Sequence, residues 1–214
     1  GKKPDYLNPK AEFILGDVTK ISQLEKALKD VDVVFNEAAA VGIGQSMYKI
    51  KHYANTNTMG TANLMQLLAN GKHNVKKVIQ ASSMVLYGEG EYYSGGCGHV
   101  RPSVRTQEQI NKHGWEPICP NCSKPAGPEE IEEDAKQRVS SIYAVTKRNQ
   151  EDLVLATCRA YDIGAVALRY FNVYGPRQSL NNPYTGVAAI FINKVKNSQP
   201  FTVYEDGLQS RDFI

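Results

Sequence analysis

Val31-Asp32-Val33-Val34-Phe35-Asn36-Glu37-Ala38-Ala39-Ala40 is the stretch on which the fold turns. Residues 31–36 carry the apolar run of a buried strand, which passes directly into three alanines whose small side chains would let a ligand lie against the backbone. Upstream, Glu12-Phe13-Ile14-Leu15 followed by Gly16-Asp17 reads as another buried strand closed by a turn, and residues 21–29 place Ile21, Leu24 and Leu28 at helical spacing. Downstream come a helix over 53–69, a strand over 75–81, a helix over 140–159 and a strand over 165–170. Strand and helix alternate, which predicts an α/β fold with a doubly wound parallel sheet. Ligands of such sheets sit at the carboxyl ends of the strands, and Asp17, Ala38-Ala39-Ala40, Ser82-Ser83 and Asn172 all fall at such ends.

The alternation breaks over residues 92–138, which are dense in Gly, Pro, Cys and charge and follow neither period, as expected of an insertion. Beyond Tyr174-Gly175-Pro176 the pattern gives a helix over 187–196 and a strand over 201–204, and Arg211-Asp212-Phe213-Ile214 ends the chain without turn or cap, as a truncation would. With 214 residues, 42% of them hydrophobic, the chain is long enough to bury the core of one domain or somewhat more. No apolar run approaches the roughly 20 residues that cross a bilayer. Gly1-Lys2-Lys3-Pro4-Asp5 lacks the apolar stretch of an export signal, so the expected setting is the cytoplasm, with no membrane contact. The formal charge of +3 is spread through mixed-sign stretches, which argues against nucleic acid as a partner and suits an anionic small molecule.

Tyr143-Ala144-Val145-Thr146-Lys147, downstream of Ser82-Ser83 and Tyr87-Gly88, carries the chemistry. A tyrosine and a lysine four apart on a helix share a face, so the ammonium can stabilise a phenolate and lower a pKa ordinarily about 10. That makes Tyr143 a candidate base near neutral pH. Spacing alone proves little, since Tyr6 and Lys10 repeat it; but that pair spans Asn8-Pro9, which breaks a helix, whereas 140–159 reads as one long helix with Val145, Leu153 and Leu155 among its apolar positions. The bland alternative is a tyrosine that packs on the sheet.

Cys97-Gly98-His99 and Cys119-Pro120-Asn121-Cys122 offer four soft or borderline ligands in two knuckles, the arrangement of a structural zinc site. His113 could replace His99, whose spacing from Cys97 is tighter than usual, and the alternative is reduced thiols in a surface loop. A loop this long and this poor in apolar residues needs something to hold it. Cys158, on the long helix, reads as core.

Together these motifs resemble those of the extended short-chain dehydrogenase/reductase family, and within it the nucleotide-sugar epimerases. Gly16-Asp17-Val18-Thr19 is similar to the family's adenine-side strand end, the alanine run to its cofactor strip, and Asn57-Thr58-Met59-Gly60-Thr61 to its Asn-x-x-Gly-Thr helix motif. Ser82-Ser83-Met84-Val85-Leu86-Tyr87-Gly88 resembles the active-site strand, and Arg169-Tyr170-Phe171-Asn172-Val173-Tyr174-Gly175-Pro176 with Arg211-Asp212 the segments that contact nicotinamide and substrate diphosphate. The resemblance implies a Rossmann-like fold, NAD as cofactor, a nucleotide-diphosphate sugar as substrate and a homodimer. It implies catalytic roles for Ser83, Tyr143 and Lys147. The cofactor would meet Asp17, Val18, Ala38, Ala39, Ala40, Asn57, Ser82, Tyr143, Lys147 and Tyr170, and the substrate Ser83, Asn172 and Arg211. Residues 1–170 would then be part of a dinucleotide-binding domain with the insertion 92–138, and 171–214 the beginning of a substrate lobe.

Related dehydratases carry an Asp-Glu pair just after the active-site Ser/Thr, where this chain has Met84-Val85. An apolar pair cannot protonate a leaving hydroxyl, so the resemblance points to epimerisation. Val41-Gly42-Ile43-Gly44-Gln45-Ser46-Met47-Tyr48, the Cys-containing insertion and Asn182-Pro183-Tyr184-Thr185-Gly186-Val187 resemble a subgroup associated with dTDP-L-rhamnose 4-epimerisation. UDP-glucose/UDP-galactose epimerisation and a non-catalytic binding module on the same fold stay open as alternatives. The family's Gly-x-x-Gly-x-x-Gly turn, which holds the NAD pyrophosphate, has no counterpart here, and neither has the residue that separates NAD from NADP. The expectation is a fragment of a longer enzyme.

Overall fold

A computed structural model describes residues 3–179 and 186–214. The element order is α1 (Ile21–Ala27), β1 (Val33–Asn36), α2 (Ile43–Ser46), α3 (Ile50–Tyr53), α4 (Gly60–Ala69), β2 (Lys77–Ala81), β3 (Tyr92–Ser94), β4 (Gly98–Val100), α5 (Gln107–His113), β5 (Gly127–Pro128), α6 (Ile142–Ala160), β6 (Gly164–Leu168) and α7 (Val187–Lys196). A π-helical segment, Ala54–Met59, joins α3 to α4, and a 3-10 turn, Met84–Tyr87, follows β2. The elements form two compact units, one running up to Ser82 together with Ser141–Arg169, the other Ser83–Ser140 together with the chain from Tyr170 onward.

In the first unit a parallel sheet has the order β1-β2-β6, with Val34 opposite Val78 and Val78 opposite Ala165. Parallel neighbours need a long crossover, and each crossover here carries a helix, α4 between β1 and β2 and α6 between β2 and β6. The α/β reading with a parallel sheet therefore holds. The pleat turns Val34, Val78 and Ala165 to one face, where they meet Leu28, Leu64, Met65, Leu68, Val154 and Cys158 in one core. Val33, Phe35, Val166 and Leu168 turn to the opposite face and are exposed.

Two expected strands do not form. Phe13, Ile14 and Leu15 are exposed, and residues 12–15 pair with no described strand, so their backbone has no ladder to join. Residues 201–204 lack a partner in the same way. Asn182-Pro183-Tyr184-Thr185, part of the subgroup resemblance, and Gly1-Lys2 lie outside the described residues.

In the second unit the stretch that follows neither period holds an antiparallel sheet of order β4-β3-β5, with Tyr92 opposite both Val100 and Pro128. Strands of two or three residues are too short for a period of two to declare itself. Their small core is Val100, Cys119 and Ala126, against which Tyr92, Cys97 and Cys122 pack.

Candidate active site

Helix α6 positions the Tyr-Lys pair. Ser141 caps it, its Oγ accepting the Ala144 N–H at 3.1 Å. Ala144, Lys147, Gln150, Glu151, Val154 and Cys158 form the buried stripe, three and four residues apart. Lys147 is 3% exposed, and its Nζ donates to the carbonyl of Ala81, the last residue of β2. Burial draws its pKa from 10.5 down to about 8, with Glu37 pulling the other way. One turn earlier, the Tyr143 N–H donates to Ser46 Oγ at 3.0 Å, and its ring meets Tyr53 edge to face at 6.3 Å.

The alanine strip at the end of β1 is held from behind by buried amides. Asn57, in the π-helical segment, accepts from the Ala40 N–H at 2.7 Å, donates to the Ala40 carbonyl at 3.1 Å and reaches Thr146 Oγ1 on α6 at 2.9 Å. Gln150 donates to the Ala38 carbonyl at 3.3 Å and to Thr61 Oγ1 at 2.8 Å, while Tyr53 donates to the Val41 carbonyl at 2.6 Å. Asn36 links the same layer to Gln80 at 2.7 Å and to Thr61 at 3.2 Å. These bonds use one edge of the strip's backbone and fix it in register with Tyr143 and Lys147. Sequence reading missed Gln80 and Gln150; a polar residue at an apolar-period position, such as Gln80 inside β2, is the signal that could have found them.

Ser82 donates from Oγ to Glu151 Oε2 at 2.6 Å, and Arg169 clasps the same carboxylate, Nη2 to Oε1 at 2.6 Å and Nε to Oε2 at 3.2 Å. Its hydroxyl thus anchors the strand end that delivers Ser83. Asp17 Oδ1 accepts from the Thr19 N–H at 2.9 Å, and its bonds to Thr19 hold its carboxyl below the usual range. Val18 lies against Gly60, where a Cβ would stand 2.6 Å from Val18 Cγ2.

In the second unit Ser83 Oγ caps the Met84–Tyr87 turn, accepting from the Val85 N–H at 3.4 Å. The Tyr170 carbonyl accepts the Met84 N–H at 3.0 Å. Asn172 Nδ2 donates to the Asp212 carbonyl at 2.8 Å and Asn172 bridges to Phe213, which brings the Arg211 segment beside it. Arg211 itself is exposed, its guanidinium on the Ser210 carbonyl at 2.6 Å.

The cysteine insertion converges in part. The Sγ atoms of Cys97, Cys119 and Cys122 lie within 4.8 Å of one another. His99 does not join them, because β4 turns it outward, where its Nδ1 sits 2.7 Å from Glu129 and its ring meets Tyr93 edge to face. His113 closes α5 and also stands outside the group. Desolvation pushes the Cys119 thiol up, but hydrogen bonds from the Asn121 N–H, the Ser94 hydroxyl and Cys122 outweigh it and bring the pKa to about 6. Hydrogen bonds to Cys122 and Cys119, with burial, push Cys97 up to about 11.

The parallel sheet with its crossover helices is a Rossmann-like α/β fold. The chain belongs to the NAD dependent epimerase/dehydratase family, whose model matches residues 2–108 and 116–214. It is 32% identical to the dTDP-L-rhamnose 4-epimerase of Burkholderia thailandensis over 99% of this chain and 58% of that protein. Among solved structures, the UDP-N-acetylglucosamine 4-epimerase of Methanobrevibacter ruminantium M1, in complex with UDP-N-acetylmuramic acid, is 32% identical with a TM-score of 0.70, over 94% of this chain and 52% of that one. The UDP-glucuronic acid 4-epimerase of Bacillus cereus, in complex with UDP-glucuronic acid and NAD, is 28% identical with a TM-score of 0.69, over 97% and 52%. The chain spans a little over half the length of these relatives. Among the described residues no helix is long and apolar enough to cross a membrane.

Proposed function

We propose that this chain carries the catalytic part of an NAD-dependent nucleotide-sugar 4-epimerase that works through a transient 4-keto sugar, with dTDP-L-rhamnose as its substrate. The observation that carries the reading is Lys147, buried at the end of β2 and one helical turn from Tyr143. A lysine desolvated there has little structural use beyond its bond to Ala81. Beside a cofactor ribose and a tyrosine it would supply the positive charge that keeps the phenol partly ionised.

The residues present fit the nicotinamide side of NAD. The strip Ala38-Ala39-Ala40 is bare of bulk and braced by Asn57 and Gln150, and Asp17 and Val18 would border the adenine side. When bound, NAD supplies the hydride acceptor and donor for carbon 4. Tyr143 would remove the proton from the hydroxyl on carbon 4 and return it after the sugar turns. Ser83, whose Oγ accepts the Val85 N–H, keeps its own proton to donate to the sugar oxygen. Asn172 and Arg211 would face the diphosphate, a role suited to a guanidinium. Met84 and Val85 leave no acid to expel a hydroxyl, which favours epimerisation over dehydration.

The substrate choice is supported by the Burkholderia relative and by the motif at residues 41–48. A homodimer formed through α6 and the helix after Asn57, and a cytoplasmic location, belong to the same reading. So does the division into a dinucleotide-binding part and a substrate lobe. The test uses the full reading frame that carries this chain, incubated separately with dTDP-L-rhamnose, UDP-glucose and UDP-galactose without added reductant, with products read by chromatography. Conversion of dTDP-L-rhamnose, lowered about 10²–10⁴-fold in Tyr143→Phe, is expected. Conversion of a UDP-sugar instead would move the specificity, and no conversion despite bound NAD would favour a binding module.

A further inference from the structure

The sulfurs of the inserted sheet lie in two short loops of related form. Ser94-Gly95-Gly96-Cys97-Gly98 and Cys119-Pro120-Asn121-Cys122-Ser123 share one spacing. Each ends on a left-handed residue, Gly98 at φ +73 and Ser123 at φ +58. Each also closes with a backbone bond to the carbonyl of its first residue, from Cys97 N to Ser94 at 3.0 Å and from Ser123 N to Cys119 at 2.9 Å. Ser94 occupies the place in the first loop that Cys119 occupies in the second. It is 1% exposed, and its Oγ lies 3.5 Å from Cys122 Sγ and within hydrogen-bond reach of Cys119.

Three features separate a metal site from a chance meeting of thiols. Cys97, Cys119 and Cys122 are free and gathered within 4.8 Å, and one disulfide would pair two of them and strand the third. Ser94, itself 1% exposed, turns a polar atom into the same group, its Oγ 3.5 Å from Cys122 Sγ, so the sulfurs share their pocket with a buried hydroxyl and not with apolar side chains alone. And the core beneath, Val100, Cys119 and Ala126, is too small to fix strands this short without a staple. Three thiolates repel one another unless a cation lies between them.

We propose that these two loops are a pair of knuckles for one structural zinc ion, bound by Cys97, Cys119 and Cys122 as thiolates, with the Ser94 hydroxyl, directly or through a water it holds, at the fourth corner. His99 has no part in the site. All three sulfurs bind as thiolates and any protons they still hold leave to solvent, so the filled site carries one net negative charge. Tetrahedral coordination by soft sulfur is what zinc takes in structural sites.

The test is metal analysis of the whole chain, purified under reducing conditions without chelator, with cobalt substitution as a second readout. One zinc per chain is expected, along with the charge-transfer and visible bands of tetrahedral thiolate-bound cobalt. Cys97→Ser and Cys122→Ser should lose most of the metal, and His99→Ala should keep it. Ser94→Cys should hold zinc against a competing chelator about tenfold better or more, the order by which nearby groups tune metal affinity. Wild-type protein that takes up neither zinc nor cobalt would overturn the proposal, as would iron in place of zinc. Loss of metal in His99→Ala, or no gain in Ser94→Cys, would overturn the assignment of the fourth corner even if the cysteine variants fail to fold.

Discussion

At the residue scale the first unit is shaped by groups that a core would ordinarily exclude. Lys147 keeps an amine in a site where burial lowers its pKa from 10.5 to about 8. Between those values the unfolded chain binds more protons than the folded one, so stability should rise with pH across that window, and below it the buried ammonium is a standing cost. Lys147→Met removes the titration while keeping similar bulk. The stability of the wild type relative to Lys147→Met, from urea midpoints, should therefore grow by about 2 kcal/mol between about pH 7 and about pH 9.5. A difference that stays flat would mean the amine is not desolvated in solution. Glu151 is the complementary case, a buried carboxylate that is satisfied by Ser82 and Arg169 together.

At the element scale, the helices and central strands were legible in the sequence because each carries a full period of apolar residues. Residues 187–196 coincide with α7, and 140–159 with α6 to within two residues at each end. The strands at 12–15 and 201–204 were misread because an apolar run promises burial only where a neighbour exists to pair with it. The Tyr-Lys pair was legible as two residues of one helix, and the alanine strip as the segment that follows a strand. Of the amides behind the strip, Asn57 stood in a motif, whereas Gln80 and Gln150 were not legible, since they find their partners only through contacts far apart in sequence. The place of Ser94 beside the sulfurs was not legible either, because a serine carries no metal-binding signal of its own and its neighbour Cys122 lies 28 residues away. Gly60 tests how tightly the strip's support is packed. Alanine there would gain about 1 kcal/mol of helix propensity. Its Cβ, however, would stand 2.6 Å from Val18 Cγ2, so a net loss of about 1–2 kcal/mol is expected. Val18→Ala in the same chain should recover much of that loss; strictly additive effects of the two changes would show that the contact is not what limits Gly60.

At the scale of the molecule, the two compact units rest on different physics. The first has a parallel sheet with a continuous apolar core running through Leu64, Leu68, Val78 and Val154. The inserted sheet of the second has three buried core residues and, on the zinc proposal, an ion in place of the hydrophobic surface it lacks. Stability held by a bound ion disappears with the ion, whereas stability held by a core does not. Hydrogen exchange of the whole chain with and without a zinc chelator separates the two. Amides of residues 92–128 should lose protection by tenfold or more, as expected for local opening. Those of β2, β6 and α6 should keep theirs. Uniform loss across both units would mean that the inserted sheet and the parallel sheet unfold as one, and unchanged exchange in 92–128 would mean that its strands hold without metal.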